Sequence, residues 1–157
     1  MTDKNIKQVK EFLEARGIKT AILAFEETTR TSELAAKAIG CEVAQIAKSL
    51  VFITDKKAAV LVIASGKSRV DTAKLAKKLE ASEARIADVK TVKEATGFPI
   101  GGVPPVAHNR PLRTFIDPRL MSFPVVYAAA GTPNAIIGIA PEDLKNVTSA
   151  EVSDVFE

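Results

Sequence analysis

Tryptophan is absent from this chain, and cysteine, histidine and tyrosine occur once each, as Cys41, His108 and Tyr127. One cysteine excludes a disulfide framework and a cysteine-built zinc site. One histidine excludes a multi-histidine metal centre, so no metal and no cofactor is expected, although carboxylates alone could hold Mg²⁺. Aromatic residues make up only 5% of the sequence, which leaves the core to Val, Ile, Leu and Ala. No apolar run approaches the roughly 20 residues that a membrane span needs. The segment Met1 to Lys10 is polar, unlike a signal peptide. These absences point to a cytoplasmic protein with no membrane partner. There is also no phosphate-binding P-loop, no HExxH, no CxxC and no G-x-S-x-G elbow. A Ser-His-Asp triad through His108 is arithmetically open, but nothing around any serine supports it.

The 157 residues that remain to be read suit a single domain spanning 1–157. Hydrophobic residues at 46% and charged residues at 26% are ordinary for a globular chain. A net charge of +3, from 22 basic and 19 acidic residues, permits a polyanionic partner without demanding one. Cys41 reads as a small buried side chain.

Periodicity supplies the elements. Ile6, Val9 and Leu13 mark an amphipathic helix that ends near Gly17. Ala21 to Phe25 reads as a short strand, and Glu33 to Ile39 as a helix stopped by Gly40. Ser49 to Thr54 and Ala58 to Ala64 read as a β-hairpin at the centre of a sheet. Asp71 is placed to cap a helix through Leu79, and Asp88 to Thr96 reads as a helix stopped by Gly97. Arg113 to Asp117, Pro124 to Ala129 and Asn134 to Ile139 read as strands, with Pro141 opening a last short helix. The expected class is α+β: one compact domain with a mixed, largely antiparallel sheet and surrounding helices.

Four local signals could carry chemistry. The first is Gly97-Phe98-Pro99-Ile100-Gly101-Gly102-Val103-Pro104-Pro105. Glycine admits close backbone approach and proline presets the chain, so this loop either offers backbone amides to a developing oxyanion or is a tight connector. The second is Lys48 at the mouth of an apolar run, where it either anchors a phosphate or protects a sheet edge. The third is His108, three residues past the loop, which either orients water or a substrate hydroxyl or is an exposed loop histidine. The fourth is Ser65-Gly66-Lys67-Ser68-Arg69, either a contact to RNA backbone or a solvated turn. The hydroxyl-rich run Thr28-Thr29-Arg30-Thr31-Ser32 precedes a helix.

Taken together, these segments resemble the YbaK family, which includes stand-alone deacylases and the editing domain of bacterial prolyl-tRNA synthetases. The resemblance lies in Ile46-Ala47-Lys48-Ser49-Leu50-Val51-Phe52, in Gly101 to Pro105 as a G-x-x-x-P loop, and in a tail running through Thr114 to Asp117, Val125 to Tyr127, Gly131 and Ile136 to Pro141. It implies a trans-editing hydrolase that deacylates mischarged aminoacyl-tRNA, with tRNA(Pro) carrying Ala, Cys or Ser as substrate. It implies no DNA partner, and leaves room for a prolyl-tRNA synthetase as a second partner beside the tRNA. On that reading Lys48 holds the 3′ end, and Gly101, Gly102, Val103, Pro104 and Pro105 shape the pocket around the ester. Thr31, Ser65, Gly66, His108 and Gly131 are candidate substrate contacts. The poverty of catalytic side chains suits substrate-assisted hydrolysis without a covalent enzyme intermediate. The competing readings are a non-catalytic tRNA- or synthetase-binding module and a small-molecule hydrolase centred on His108.

Overall fold

The two apolar runs form the expected hairpin. β2 (Ile46–Thr54) and β3 (Ala59–Ser65) pair antiparallel from Ala47↔Ser65 to Ile53↔Ala59. β3 is apolar throughout because both of its faces are covered. Leu61 and Ile63 enter one core cluster, while Val60, Val62 and Ala64 enter a second on the opposite face. The structure, a computed structural model, describes the backbone of residues 2–157 and the side chains of residues 4–157.

Around the hairpin the chain runs α1 (Thr2–Glu14), β1 (Ile22–Ala24), α2 (Ser32–Ile39), then β2 and β3, then α3 (Thr72–Lys78), β4 (Ala84–Ile86) and α4 (Val89–Thr96). It closes with β5 (Arg113–Ile116), β6 (Val126–Ala129), β7 (Ala135–Ile139), α5 (Pro141–Thr148) and β8 (Glu151–Val152). The strands make one sheet in the order β1-β7-β6-β2-β3-β5-β8, with β4 also paired to β2. The pairs β2–β6, β3–β5 and β5–β8 are parallel and the rest antiparallel. This is the α+β class with a mixed, largely antiparallel sheet that the sequence predicts. β4 and β8 were not anticipated, because two or three residues are too few to show an alternation.

The helix ends follow their local chemistry. Thr31 Oγ1 accepts the Leu34 N–H at 3.1 Å, and Asp88 Oδ1 accepts that of Thr91 at 2.8 Å. Asp71 Oδ1 caps α3 through the N–H groups of Ala73 and Lys74. Gly40 and Gly97 end α2 and α4 in the left-handed conformation. Val9 and Leu13 of α1 are fully buried in the first core cluster. Among the described residues no helix is long and apolar enough to cross a membrane.

The sheet forks at β2. One edge of β2 is occupied by β3. The other is shared in succession by β6, at Ile46 and Ala47, and by β4, from Phe52 to Thr54. Between them Lys48, Ser49 and Leu50 have no strand partner on that edge. The Ala87 N–H reaches Val51 O at 2.9 Å and closes the far end of the gap.

Leu61 is fully buried at the centre of this arrangement. Leu61→Ala should therefore cost about 2–5 kcal/mol of unfolding free energy, through lost burial and the cavity left behind. Urea denaturation with an unchanged m-value checks this; a loss below about 1 kcal/mol would mean that the hairpin is not the centre of the core.

Candidate functional site

The fork leaves a cavity of about 100 Å³. Its inner wall is apolar, with Ala35 of α2, Ala47 and Val51 of β2, Val92 of α4 and Ala128 of β6. Thr29, Arg30, Thr31 and Lys48 bring polar groups to the same cavity. Lys48 is exposed, and it also lines a neighbouring cleft of about 340 Å³, so it stands between the two spaces. It takes part in none of the ion pairs among the described residues. β2 lies in the middle of the sheet, so Lys48 does not guard a sheet edge in the ordinary sense. Ser49 shares a face with Ala47 and Val51. Its Oγ is buried and is the one such side-chain atom, among the described residues, with no hydrogen-bond partner.

The loop after α4 forms the facing wall through Ile100, Gly101 and Val103. Gly101 sits at φ +88°, where a side chain is strained, and a Cβ there would come within 3.3 Å of the Arg30 Cβ. A Cβ on Gly102 would lie 2.6 Å from the carbonyl carbon of Thr132, so only glycine fits against that backbone. The amides of the loop can be accounted for one by one. Pro104 and Pro105 have no N–H. The Gly102 N–H donates to Pro99 O at 3.1 Å. Among the described residues the N–H groups of Gly101 and Val103 find no acceptor, and both residues line the cavity.

The structure brings together Lys48, Thr31, Gly101 and Val103 around the front cavity. Thr31 spends its hydroxyl oxygen on the α2 cap. Ser65 and Gly66 line the neighbouring cleft with Lys48. Ser65 is committed there: its Oγ donates to Ala44 O at 2.7 Å, and its N–H donates to the buried Asp117 carboxylate at 3.0 Å. Gly66 is pressed against Val43 and Ser32. Gly102 and Pro104 are buried behind the cavity wall.

Pro105 and His108 turn away from Lys48 into a third cleft at the rear of the loop. His108 Nε2 lies 2.7 Å from Pro104 O, and because a carbonyl only accepts, this nitrogen carries the proton. Burial pushes the His108 pKa down, partly offset by that bond. His108 thus braces the loop from behind and does not reach the front cavity. Gly131 borders none of the three spaces; it holds φ +101° against Asn5, whose Nδ2 donates to Gly131 O at 3.1 Å. Cys41 is only partly buried, and burial foremost pushes its thiol pKa up.

Arg30, Ser49, Tyr127 and Ile86 line the site without having been singled out. Signals existed for two of them. Ser49 is a lone hydroxyl on an apolar strand face, and Arg30 is a lone cation in a hydroxyl-rich turn. Tyr127 and Ile86 arrive from β6 and β4, whose docking on β2 no local pattern encodes.

The chain resembles known proteins in sequence and fold. Residues 26–147 match the sequence profile of the aminoacyl-tRNA editing domain. A solved structure named as that of a candidate trans-editing enzyme for prolyl tRNA synthetase superposes with a TM-score of 0.90 at 42% identity, covering 98% of this chain and 97% of that one. The YwhH protein of Bacillus subtilis is 31% identical over 131 residues, 83% of each chain. The EbsC protein of Enterococcus faecalis, named as a candidate Cys-tRNA(Pro)/Cys-tRNA(Cys) deacylase, is 24% identical over 84% of this chain and 80% of its own.

The buried imidazole makes stability depend on pH. The folded chain holds His108 neutral below the ordinary value of 6.5, so the unfolded chain binds the proton first as pH falls. Folding stability should decline as pH drops through that value, then level off once the folded ring also protonates. His108→Gln, which can keep a donor for Pro104 O, should remove this part of the slope. Urea midpoints followed from about pH 7.5 to about pH 5 measure it, and an unchanged slope in the variant would assign the effect to other groups.

Proposed function

The chain belongs to the aminoacyl-tRNA editing domain family, and from that premise we propose that it is a deacylase that hydrolyses the ester of a small amino acid wrongly attached to tRNA, with tRNA(Pro) carrying Ala, Cys or Ser as its substrate. The observation that carries this reading is the small cavity at the sheet fork, with Gly101 and Val103 in one wall, whose N–H groups find no acceptor among the described residues, and Lys48 at its opening, in no ion pair among them. The names of the candidate trans-editing enzyme and of EbsC agree with it.

In this reading the acyl group enters the fork. The terminal nucleotide lies across Lys48 into the neighbouring cleft, where Lys48 anchors a phosphate as a point charge. The ester oxygen faces the N–H groups of Gly101 and Val103, which stabilise the negative charge that develops as water attacks the carbonyl carbon. The C–O bond to the ribose then breaks, the ribose oxygen takes a proton, and the free amino acid leaves. The neighbouring ribose hydroxyl assists by positioning that water. No side chain is acylated, in keeping with a cavity that presents no activated nucleophile.

Size sets the specificity. A cavity of about 100 Å³ is smaller than the roughly 150 Å³ that holds a benzene ring. It favours a side chain of one or two heavy atoms over the proline ring. A prolyl-tRNA synthetase is a second partner in this reading, since a net charge of +3 supplies few phosphate contacts.

Release of labelled amino acid from tRNA(Pro) charged with Ala, Cys or Ser tests the proposal. Lys48→Ala should lower kcat/KM by about 100-fold or more, through loss of positioning, with little change in stability. Turnover by the folded protein on none of the three esters would overturn the reading.

A further inference from the structure

The front cavity and its neighbouring cleft adjoin. Ser32, Lys48, Leu50 and Ile86 line both, whereas the rear cleft shares no lining residue with either. Register places the neighbouring cleft on one face of the hairpin. Lys48, Leu50 and Phe52 alternate onto that face of β2, and Ile86, paired directly with Phe52, shares it. The floor at the Phe52 end is apolar. Leu50 is half-buried against the second core cluster, and Ile86 is 59% exposed. The other end is cationic. Ser65 pairs with Ala47 across the hairpin, so the turn that follows leaves β3 at the Lys48 end, and it carries Arg69 into the cleft wall. The Glu157 N–H donates to Arg69 O at 2.9 Å, which ties the backbone down while the side chain stays exposed. Glu33, in the first turn of α2, is the one acid lining the cleft among the described residues. Neither it nor Lys48 nor Arg69 joins an ion pair among them. An anion therefore belongs against the turn and not against the helix. An apolar floor with two cations at one end suits a nucleotide, whose base has an apolar face and whose phosphate takes a guanidinium in two parallel hydrogen bonds.

We infer that the cleft seats the terminal nucleotide of the RNA with its base on Leu50 and Ile86 and its 5′ phosphate on the Arg69 guanidinium; the inference rests on the proposed function. Size supplies the reason. A front cavity of about 100 Å³ is smaller than the roughly 150 Å³ that holds a benzene ring, so it takes the acyl group and no more. The nucleoside joined to that group through the ester then lies outside, and the cleft of about 340 Å³ is the space that adjoins. Ile86 borders both spaces. A base seated on it fixes the direction in which the ester enters the fork, as a positioned reaction requires. Both side chains are exposed, so neither is held in place by a structural duty of its own.

The test follows the isoleucine δ1-methyl resonances of the full chain, labelled with carbon-13, during titration with adenosine 5′-monophosphate and with adenosine. Ile86→Val, which lacks that methyl, identifies the Ile86 resonance. A base seated on Ile86 moves the resonance upfield with both probes, through the ring current of the purine. Arg69→Ala should weaken the monophosphate about fivefold and leave adenosine unchanged. Lys10→Ala should alter neither; it removes the same charge from α1, whose Val9 and Leu13 pack on the opposite face of the sheet. On charged tRNA, Ile86→Ala and Arg69→Ala should each raise KM about three- to tenfold. An Ile86 resonance that neither probe moves would overturn the inference, and so would an Arg69→Ala variant that binds the monophosphate as tightly as before. Probes that respond as expected while neither substitution changes the KM for charged tRNA would assign the cleft to a free nucleotide and overturn the RNA end as its occupant. If the probes respond as expected and the unsubstituted protein cleaves none of the three esters, the deacylase reading fails while the nucleotide seat stands.

Discussion

The site depends on an interruption in β2. A central strand normally spends the backbone groups of both edges on neighbours. Here β6 takes the start of one edge and β4 takes its end, leaving Lys48, Ser49 and Leu50 between them without a strand partner. The gap lets side chains from both faces of the strand border one cavity, which an unbroken pleat would keep apart. It also explains how a lysine on a central strand can be exposed. Lys48 emerges where the sheet has opened, at the junction of the front cavity and its neighbouring cleft.

The loop from Gly97 to Pro105 is the second half of the same construction. It is fixed from several directions. The buried Thr96 hydroxyl donates to Val92 O at 2.7 Å and accepts the Phe98 N–H at 3.1 Å. Gly102 fits flush against the Thr132 backbone. Gln8 Nε2 donates to Ala107 O at 3.0 Å, and His108 holds Pro104 O. With so many ties behind it, the loop holds Gly101 and Val103 in the cavity wall. Such preorganisation is what electrostatic stabilisation of a developing oxyanion requires, because the donors need not reorient when the charge appears.

Much of this was legible in the sequence, for identifiable reasons. The hairpin, the caps Asp71 and Asp88 and the stops Gly40 and Gly97 rest on interactions within a few residues, which a linear pattern records. Lys48 and the glycine-proline loop stood out for the same reason, since each is locally unusual. The fork did not, because it depends on β6, far along the chain, pairing for only two residues with β2. Ser65 and Gly131 looked available as substrate contacts and are instead absorbed by the fold, one by Ala44 and Asp117, the other by Asn5. A sequence shows that a residue can donate or accept; only the folded chain shows whether a neighbour has already claimed it.

His108 is the sharpest case of that distinction. Three residues from the loop, it invites a role as general base, and a linear reading cannot remove it from the chemistry. Pro104 and Pro105 fix the direction of the chain between the two, so that by residue 105 the wall has passed from the front cavity to the rear cleft. The ring then meets the back of the loop and not the front cavity. Its Nε2–H is taken up by the Pro104 carbonyl. The single imidazole of the chain therefore works through geometry, bracing the loop that forms one wall of the front cavity. That division leaves the front cavity to be lined, among the described residues, without the imidazole, by Lys48, the hydroxyl-rich turn and the glycine-proline loop.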